Sequence, residues 1–400
     1  MHAIPYCLNI HAGESLAEVR DAIGRHALAV KARVAPDGPY PLGLRLSASA
    51  AEELAGSAAL EDFKAFLARH DLFVTGINGF PYGAFHNTAV KTAVYEPDWT
   101  TPERLNYTAR LATILAALLP EGRTGNISTV PLGYKRRKAE DGGPESGKAA
   151  TVYVRQIAVM AEFLNDLRNR SGREIALALE PEPDCLLESA DELIAWFEDE
   201  LLQEGVRWLS SRKRRTREEA EALLRNTVGL CLDTCHFAVG FEEPLTALIR
   251  FESACIRVAR VQLSAAIRAT VSDEALRRLA AFADPVYLHQ TRVRLPRGQV
   301  VAWPDLTPEA LEAARRHPGC ELRTHFHVPL FYAGDGLLGS TNTSLTADFF
   351  AHVRSEGYPL EIETYTFDVL PPALRAADVV DSLAKEHAWV AERAGCARHA

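Results

Sequence analysis

The stretch Val228-Gly229-Leu230-Cys231-Leu232-Asp233-Thr234-Cys235-His236-Phe237-Ala238-Val239-Gly240 sets the pattern of the chain. An apolar run this short, bounded by polar residues, reads as a buried strand from Val228 to Asp233, ending on a carboxylate. Comparable runs stand on either side: Tyr6 to Ile10, Leu42 to Ser47, Leu72 to Asn78, Asn126 to Pro131, Ile175 to Glu180, Val258 to Leu263 and Leu360 to Thr364. Helix-patterned segments separate them, with capping-box spacings at Ser15/Glu18, Ser189/Glu192 and Thr216/Glu219. Thr101-Pro102 and Thr307-Pro308 place proline in a first helical turn. Strands alternating with helices make parallel βα units, and the strand number expected here is the one that closes a barrel. The predicted fold is therefore α/β, a (β/α)8 TIM barrel forming a single domain over residues 1–400.

One interval breaks the rhythm. Between Leu263 and Leu360 lie a segment around Pro285, a short helix from Thr307 to His317 and a polar–apolar alternation from Leu322 to Leu330. This predicts a long insertion, residues 265–335, between strands seven and eight on the C-terminal face of the barrel, where long loops serve the active site.

Composition narrows the function classes. The 400 residues are 47% hydrophobic and 24% charged, an ordinary globular composition, and the net charge of −9 disfavours a nucleic-acid backbone as main partner. No stretch approaches the roughly 18 apolar residues of a membrane span, and Met1-His2-Ala3-Ile4-Pro5 opens no signal peptide. The expectation is a cytoplasmic protein with a small-molecule partner and neither nucleic acid nor membrane; the oligomeric state stays open. Cys7, Cys185, Cys231, Cys235, Cys255, Cys320 and Cys396 are scattered, which suggests neither a disulfide framework nor a Cys-only zinc site.

Four strand ends carry groups that are costly to bury and useful to a metal: Glu180, Asp233, Gln262 and Glu363. In a barrel they converge at one mouth, and three carboxylates so close cannot all ionise without a cation between them. A divalent metal is expected. Carboxylates and an amide oxygen suit Mg²⁺ or Mn²⁺, whereas neighbouring histidines shift the preference toward Zn²⁺ or Co²⁺.

The run Asp233-Thr234-Cys235-His236 resembles the signature of the xylose-isomerase-like, AP-endonuclease family 2 barrels, and Glu180-Pro181 and Glu363-Thr364 match that family's pairs at the fifth and eighth strands. The resemblance implies one divalent metal held by Glu180, Asp233, the strand-seven residue Gln262 and Glu363, with His236 contacting substrate or a second metal. His325-Phe326-His327 stands where the DNA-repair branch has Asp-x-His. With His236 it offers three imidazoles, a good zinc site, and strand alternation would put His325 and His327 on one face. That branch's further histidines are missing: the third strand ends Gly76-Ile77-Asn78-Gly79-Phe80, the fourth ends Ser128-Thr129-Val130-Pro131, and strand seven carries Gln262. A complete trinuclear cluster is thus not expected.

At closer range, Asn9-Ile10-His11-Ala12-Gly13-Glu14, Asn78-Gly79-Phe80-Pro81-Tyr82-Gly83, Ser128 to Lys135 and Glu361 to Pro371 resemble the EboE group of metabolite traffic proteins. The function expected is a metal-dependent isomerase, epimerase or dehydratase acting on a sugar, sugar phosphate or cyclitol, with Glu180 and Glu363 as base and acid. The alternatives are a metal-dependent phosphoester hydrolase using His236, His325 and His327, and a non-catalytic metabolite-binding barrel. His11, Asn78, Tyr82, Lys135 and His236 are the expected substrate contacts, with His86 and Lys91 deeper in the same loop region. Lys135-Arg136-Arg137-Lys138 would offer an anion site at the mouth. Arg212-Lys213-Arg214-Arg215 with Arg217 reads as a solvated helix face.

Overall fold

A computed structural model describes residues 4–84, 86, 90–135, 146–213 and 215–395. Six parallel strands run side by side: β1 (Tyr40–Arg45), β2 (Leu72–Asn78), β3 (Gly125–Thr129), β4 (Ile175–Leu179), β5 (Val228–Asp233) and β6 (Arg257–Leu263). The chain then departs into β7 (Ile267–Thr270), β8 (Thr291–Arg294), β9 (Val300–Trp303), β10 (Glu321–Thr324) and β11 (Leu338–Ser340), and returns as β12 (Leu360–Ile362) beside β6. Two N-terminal residues close the ring: Tyr6 bridges Ile362 and Cys7 bridges Gly43, both in parallel sense. The result is the α/β barrel expected.

The first strand is shorter than Tyr6 to Ile10. Immediately after the bridge the backbone turns into a 3₁₀ helix, Leu8–Ile10, and His11 N donates to Leu8 O at 3.1 Å instead of extending the ladder. That turn carries Asn9 to the barrel mouth, where its side chain reaches Glu363.

β1, β3, β4 and β5 are buried throughout, as strands covered on both faces must be. Within the barrel lies a polar layer. Arg260 pairs with Glu361 at 2.6 Å, both side chains almost fully buried, and Arg260 also donates to Asn126 Oδ1 (2.6 Å) and Asn78 Oδ1 (2.7 Å). Gly43 and Gly76 make room for it: a Cβ on the first would collide with Glu361 and the Tyr6 carbonyl, and one on the second with the Arg260 guanidinium. Outside, Ser15/Glu18 and Thr216/Glu219 form complete capping boxes. Ser189 caps its helix, but the Glu192 carboxylate accepts from Glu188 N instead of Ser189 N.

The excursion builds a second, antiparallel sheet in the order β11-β7-β10-β8-β9. It is fastened beside the C-terminal end of β6 by Val328 N to Ala265 O and Thr341 N to Ala266 O, each 2.9 Å. The expected helix forms at Pro308–Ala314. The alternation from Leu322 to Leu330 yields a strand only as far as Thr324, because Phe326 N then bonds back to Thr324 O (2.8 Å) and the ladder stops. Cys7, Cys185, Cys231, Cys235, Cys255 and Cys320 are free thiols, and Cys396 lies outside the described residues. Among the described residues no helix is long and apolar enough to cross a membrane.

Candidate metal centre

Parallel strands carry their C-terminal residues to one end of the barrel, and three carboxylates meet there. Glu180 follows β4, its backbone N held by Thr129 O at 3.1 Å. Asp233 ends β5 and caps the helix Thr234–Val239: Oδ1 accepts from Cys235 N (2.7 Å), His236 N (3.2 Å) and Ser264 Oγ (2.5 Å). Glu363 follows β12, and its Oε1 accepts from Asn9 Nδ2 at 2.6 Å. One oxygen from each carboxylate lies within 4.8 Å of the others.

Asp233 Oδ2 and Glu363 Oε2 are buried without a hydrogen-bond partner, which costs on the order of 1–3 kcal/mol each, more when charged. Burial raises Glu180 to about 8, with Asp233 and Glu182 adding to it against His236, and burial with the Glu180 and Asp233 charges lifts Glu363 well above the carboxylate range. A divalent cation among these oxygens removes both penalties, so the donor set fits a hard metal ion.

Three histidines stand beside the carboxylates, their ring centroids 4.6 to 5.9 Å apart. His236 comes from the helix after Asp233; His325 and His327 come from the segment leaving β10, with Phe326 between them buried against Phe282 and His289. His236 Nε2 and His327 Nε2 lie 3.9 and 4.0 Å from Asp233 Oδ2. Burial holds His327 down to about 4 and His325 well below the imidazole range. Burial also acts to lower His236, but Asp233, Glu182 and Glu180 outweigh it and leave that ring raised. Asp233 with His236 and His327, Glu182 with His236 and His325, and Cys235 with His325 and His327 each form a metal-capable group.

The centre borders a cavity of about 40 Å³, room for a few water-sized groups. Asn9, Asn78, Glu180, Glu182, His236, His325 and Glu363 are its polar lining; Phe80, Val90, Val94, Tyr95, Tyr287, Leu288 and Tyr365 make up an apolar and aromatic roof, in which Tyr365 OH lies 3.4 Å from His325 Nε2. Lys91 fastens this roof by donating to Asp284 O (3.0 Å), Tyr287 O (2.6 Å) and Asp305 Oδ2 (2.7 Å).

Of the residues expected from sequence, Glu180, His236, His325, Glu363 and Asn78 border this cavity; Asp233 and His327 belong to its metal-capable groups. Gln262 is fully buried, its Oε1 accepting from Cys231 Sγ (2.8 Å) and its amide nitrogen 3.4 Å from Asn78 Oδ1, so the oxygen meant for a metal is engaged elsewhere. His11 bonds Tyr6 OH (2.9 Å), stacks on His26 at 4.4 Å and faces a separate cleft lined by Asp21 and Asp368. Tyr82 packs edge-on against Tyr107. Lys135 is paired with Glu188 (2.9 Å) and Glu192 (2.6 Å), while Arg136, Arg137, Lys138 and Arg214 lie outside the described residues. His86 joins Asn9 O to Tyr287 OH.

Glu182, Asn9, Tyr95 and Gln290 escaped the sequence reading. Tyr95 OH donates to Glu182 Oε1 at 2.6 Å, and Gln290 Nε2 donates to Tyr95 OH at 2.9 Å. The one available signal was the repeat Glu180-Pro181-Glu182-Pro183, which places a second carboxylate just beyond a strand-ending one.

No protein-family model and no curated protein sequence matches the chain. Among solved structures, a xylose isomerase-like TIM barrel protein from Mycobacterium smegmatis, in complex with magnesium, aligns over 99% of this chain and 98% of its own at 13% identity, with a TM-score of 0.51. A xylose isomerase domain protein from Alicyclobacillus acidocaldarius aligns over 98% and 99%, at 13% identity and a TM-score of 0.47. The likeness concerns the fold: the chain is an α/β barrel of the xylose-isomerase-like type.

Proposed function

We propose that this barrel is a metal-dependent isomerase or epimerase of a small polyhydroxylated metabolite, a sugar or cyclitol, with Glu180 and Glu363 as the acid–base pair. The observation that carries the reading is the meeting of Glu180, Asp233 and Glu363, with Asp233 Oδ2 and Glu363 Oε2 buried and unsatisfied at the edge of a cavity. Glu180, Asp233 and Glu363 would hold the ion, which when bound supplies Lewis-acid polarisation of a carbonyl and its neighbouring hydroxyl. Glu180 and Glu363 arrive from strands on different sides of the mouth, so one can take a carbon-bound proton while the other returns one. Asn9 fixes Glu363 by its 2.6 Å bond, and Tyr95 fixes Glu182 at the same distance. Resemblance to the EboE group supports a place in a small-metabolite pathway.

The test is exchange in D₂O with a panel of ketoses and cyclitols in the presence of Mn²⁺. Deuterium should enter one carbon position, and Glu180→Gln and Glu363→Gln should each lower the rate by at least about a hundredfold. Turnover that survives both substitutions would remove the assignment. The imidazole group favours one second reading, phosphoester hydrolysis assisted by His236, His325 and His327. Hydrolysis of bis(p-nitrophenyl) phosphate that is lost in His325→Ala, without any deuterium exchange, would put it first.

A further inference from the structure

A second cleft, of about 310 Å³, shares two stretches of chain with the metal centre. Asn9 lines the metal cavity while Ile10 and His11 line the cleft, and Tyr365 lines the cavity while Phe367 and Asp368 line the cleft. His11 is the most buried polar group of the cleft, 9% exposed. Burial, with His26 and His86 adding to it, holds the ring down to about 3, so His11 is neutral and carries one proton. Tyr6 settles which nitrogen carries it. The Tyr6 side chain is buried and its hydroxyl makes one hydrogen bond, to His11 Nε2 at 2.9 Å, so the hydroxyl donates and Nε2 accepts. The His11 proton is therefore on Nδ1, a donor without a protein partner on a ring that lines the cleft.

His26 stacks on this ring, with centroids 4.4 Å and planes 13° apart. It belongs to the π-helical turn Ile23–Ala27, set between the helices Leu16–Ala22 and Leu28–Val34; turns of this kind are rare, and those that occur are frequently at functional sites. The cleft also carries carboxylates: Asp21, shared with Arg25 at 2.8 Å, and Asp368, exposed and with no hydrogen bond or ion pair to its carboxylate. Phe367 and Val379 add apolar surface, and among the described residues no Lys or Arg lines the cleft. A phosphate or carboxylate ligand would meet like charge here and find no cation. An ammonium group would leave the Nδ1 proton without an acceptor. A hydroxylated molecule meets both demands, because one hydroxyl accepts from Nδ1 while another donates to a carboxylate. The volume stands at the lower end of small-molecule pockets, which run from about 300 to 1,000 Å³. We infer that the cleft is a second ligand site, taking an uncharged polyhydroxylated molecule of monosaccharide size through His11 Nδ1 and the Asp368 carboxylate. This does not rest on the reaction proposed at the metal centre.

The experiment is a titration followed by saturation-transfer difference NMR on the full chain in EDTA, which keeps metal-assisted binding at the mouth out of the signal. The probes are myo-inositol and D-fructose, taken to about 10 mM, tenfold above a millimolar Kd, with D-fructose 6-phosphate as the charged control. At least one uncharged probe should bind and the phosphate should not, a contrast that needs no variant. Asp368→Ala, at an exposed position, should weaken binding by about tenfold or more, the loss of one hydrogen bond to a charged group. Glu180→Gln should leave it unchanged, and far-UV circular dichroism confirms that both variants are folded. Absence of binding by both uncharged probes, equal binding of the 6-phosphate, undiminished binding in Asp368→Ala, or loss of binding in Glu180→Gln would overturn the inference. Deuterium exchange in a protein whose cleft binds nothing would refute this inference and leave the isomerase reading standing; binding at the cleft without exchange would do the reverse.

Discussion

A carboxylate retained for a metal should weaken the fold whenever the metal is absent, and Glu180 allows the effect to be sized. Its carboxyl is raised from 4.5 to about 8, chiefly by burial. A raised folded-state value means that the native chain takes up a proton on folding. The associated stability is fully present below pH 4.5 and is lost as pH climbs through 8. Across that window the loss approaches about 5 kcal/mol as a ceiling. In Glu180→Gln the side chain keeps its shape and cannot ionise, so above pH 8 the metal-free variant should be the more stable protein. With an unfolding entropy of about 2.1 cal/mol/K per residue, a chain of this size gains about 1 °C per kcal/mol, or a melting temperature up to about 6 °C higher. Near pH 4.5 the two proteins should melt together. Adding Mn²⁺ should reverse the order, since only wild type gains binding free energy that favours the native state. The assay is differential scanning fluorimetry from pH 4.5 to 8.5, with EDTA and then with Mn²⁺. A metal-free variant that melts at or below wild type at pH 8.5 would show that Glu180 stabilises the barrel, and would refute the reasoning.

Three further outcomes follow from the polar interior and the roof. Glu361→Gln leaves the buried Arg260 guanidinium without its anion and should cost about 3–5 kcal/mol, read as a lower urea midpoint, whereas removing both charges in Arg260→Met/Glu361→Leu should cost less than the sum of the single changes. Gly43→Ala forces a methyl group into Glu361 and the Tyr6 carbonyl and should yield little soluble protein, in contrast to Gly38→Ala, which meets nothing. Lys91→Met removes three hydrogen bonds, to Asp284 O, Tyr287 O and Asp305 Oδ2, that join the Val90–Tyr95 part of the roof to the connections flanking the second sheet, so release of bound metal to a chelator should accelerate by about tenfold, the equivalent of about one charge-assisted hydrogen bond, with the melting temperature nearly unchanged.

The barrel was readable because each strand carries the same physical demand. β4 and β5 are covered on both faces and read as apolar runs up to their last residue, β1 and β3 are buried as well although Arg45, Asn126, Ser128 and Thr129 interrupt them, and the spacing between runs is that of a helix returning over the sheet. The second sheet has no such signature. β7, β8, β9 and β10 are four residues each and β11 is three, too short for a two-residue period to stand out. Arg268, Arg292, Arg294 and Arg323 occupy them: Arg268 donates to Ser340 O and Arg294 pairs with Glu321 across paired strands, Arg292 reaches Glu188 beyond the sheet, and Arg323 pairs with Glu321 of its own strand. The N-terminal strand erred the other way: Leu8 and Ile10 are apolar enough to continue the ladder, but the local turn takes their backbone.

At the mouth, the sequence shows the groups a metal would touch and hides those that aim them. Glu180, Asp233 and Glu363 stand out because a carboxylate ending an apolar run is conspicuous, and the topology carries all three to the same end. Asn9 reaches Glu363 across 354 positions of chain, and Gln290 reaches Tyr95 across 195; neither residue differs in its local context from an ordinary loop amide. The partners of His236 and His327 are harder still to read, since they are backbone carbonyls and every residue has one. Those carbonyls nevertheless fix both protons at Nδ1 and turn both Nε2 atoms inward. A histidine read from sequence is a donor or an acceptor at either nitrogen; here the carbonyl behind each ring leaves Nε2 to face the carboxylates. What the histidines can offer at the mouth is therefore set by Pro181 O, Glu363 O and the Gln290 amide as much as by the imidazoles they orient.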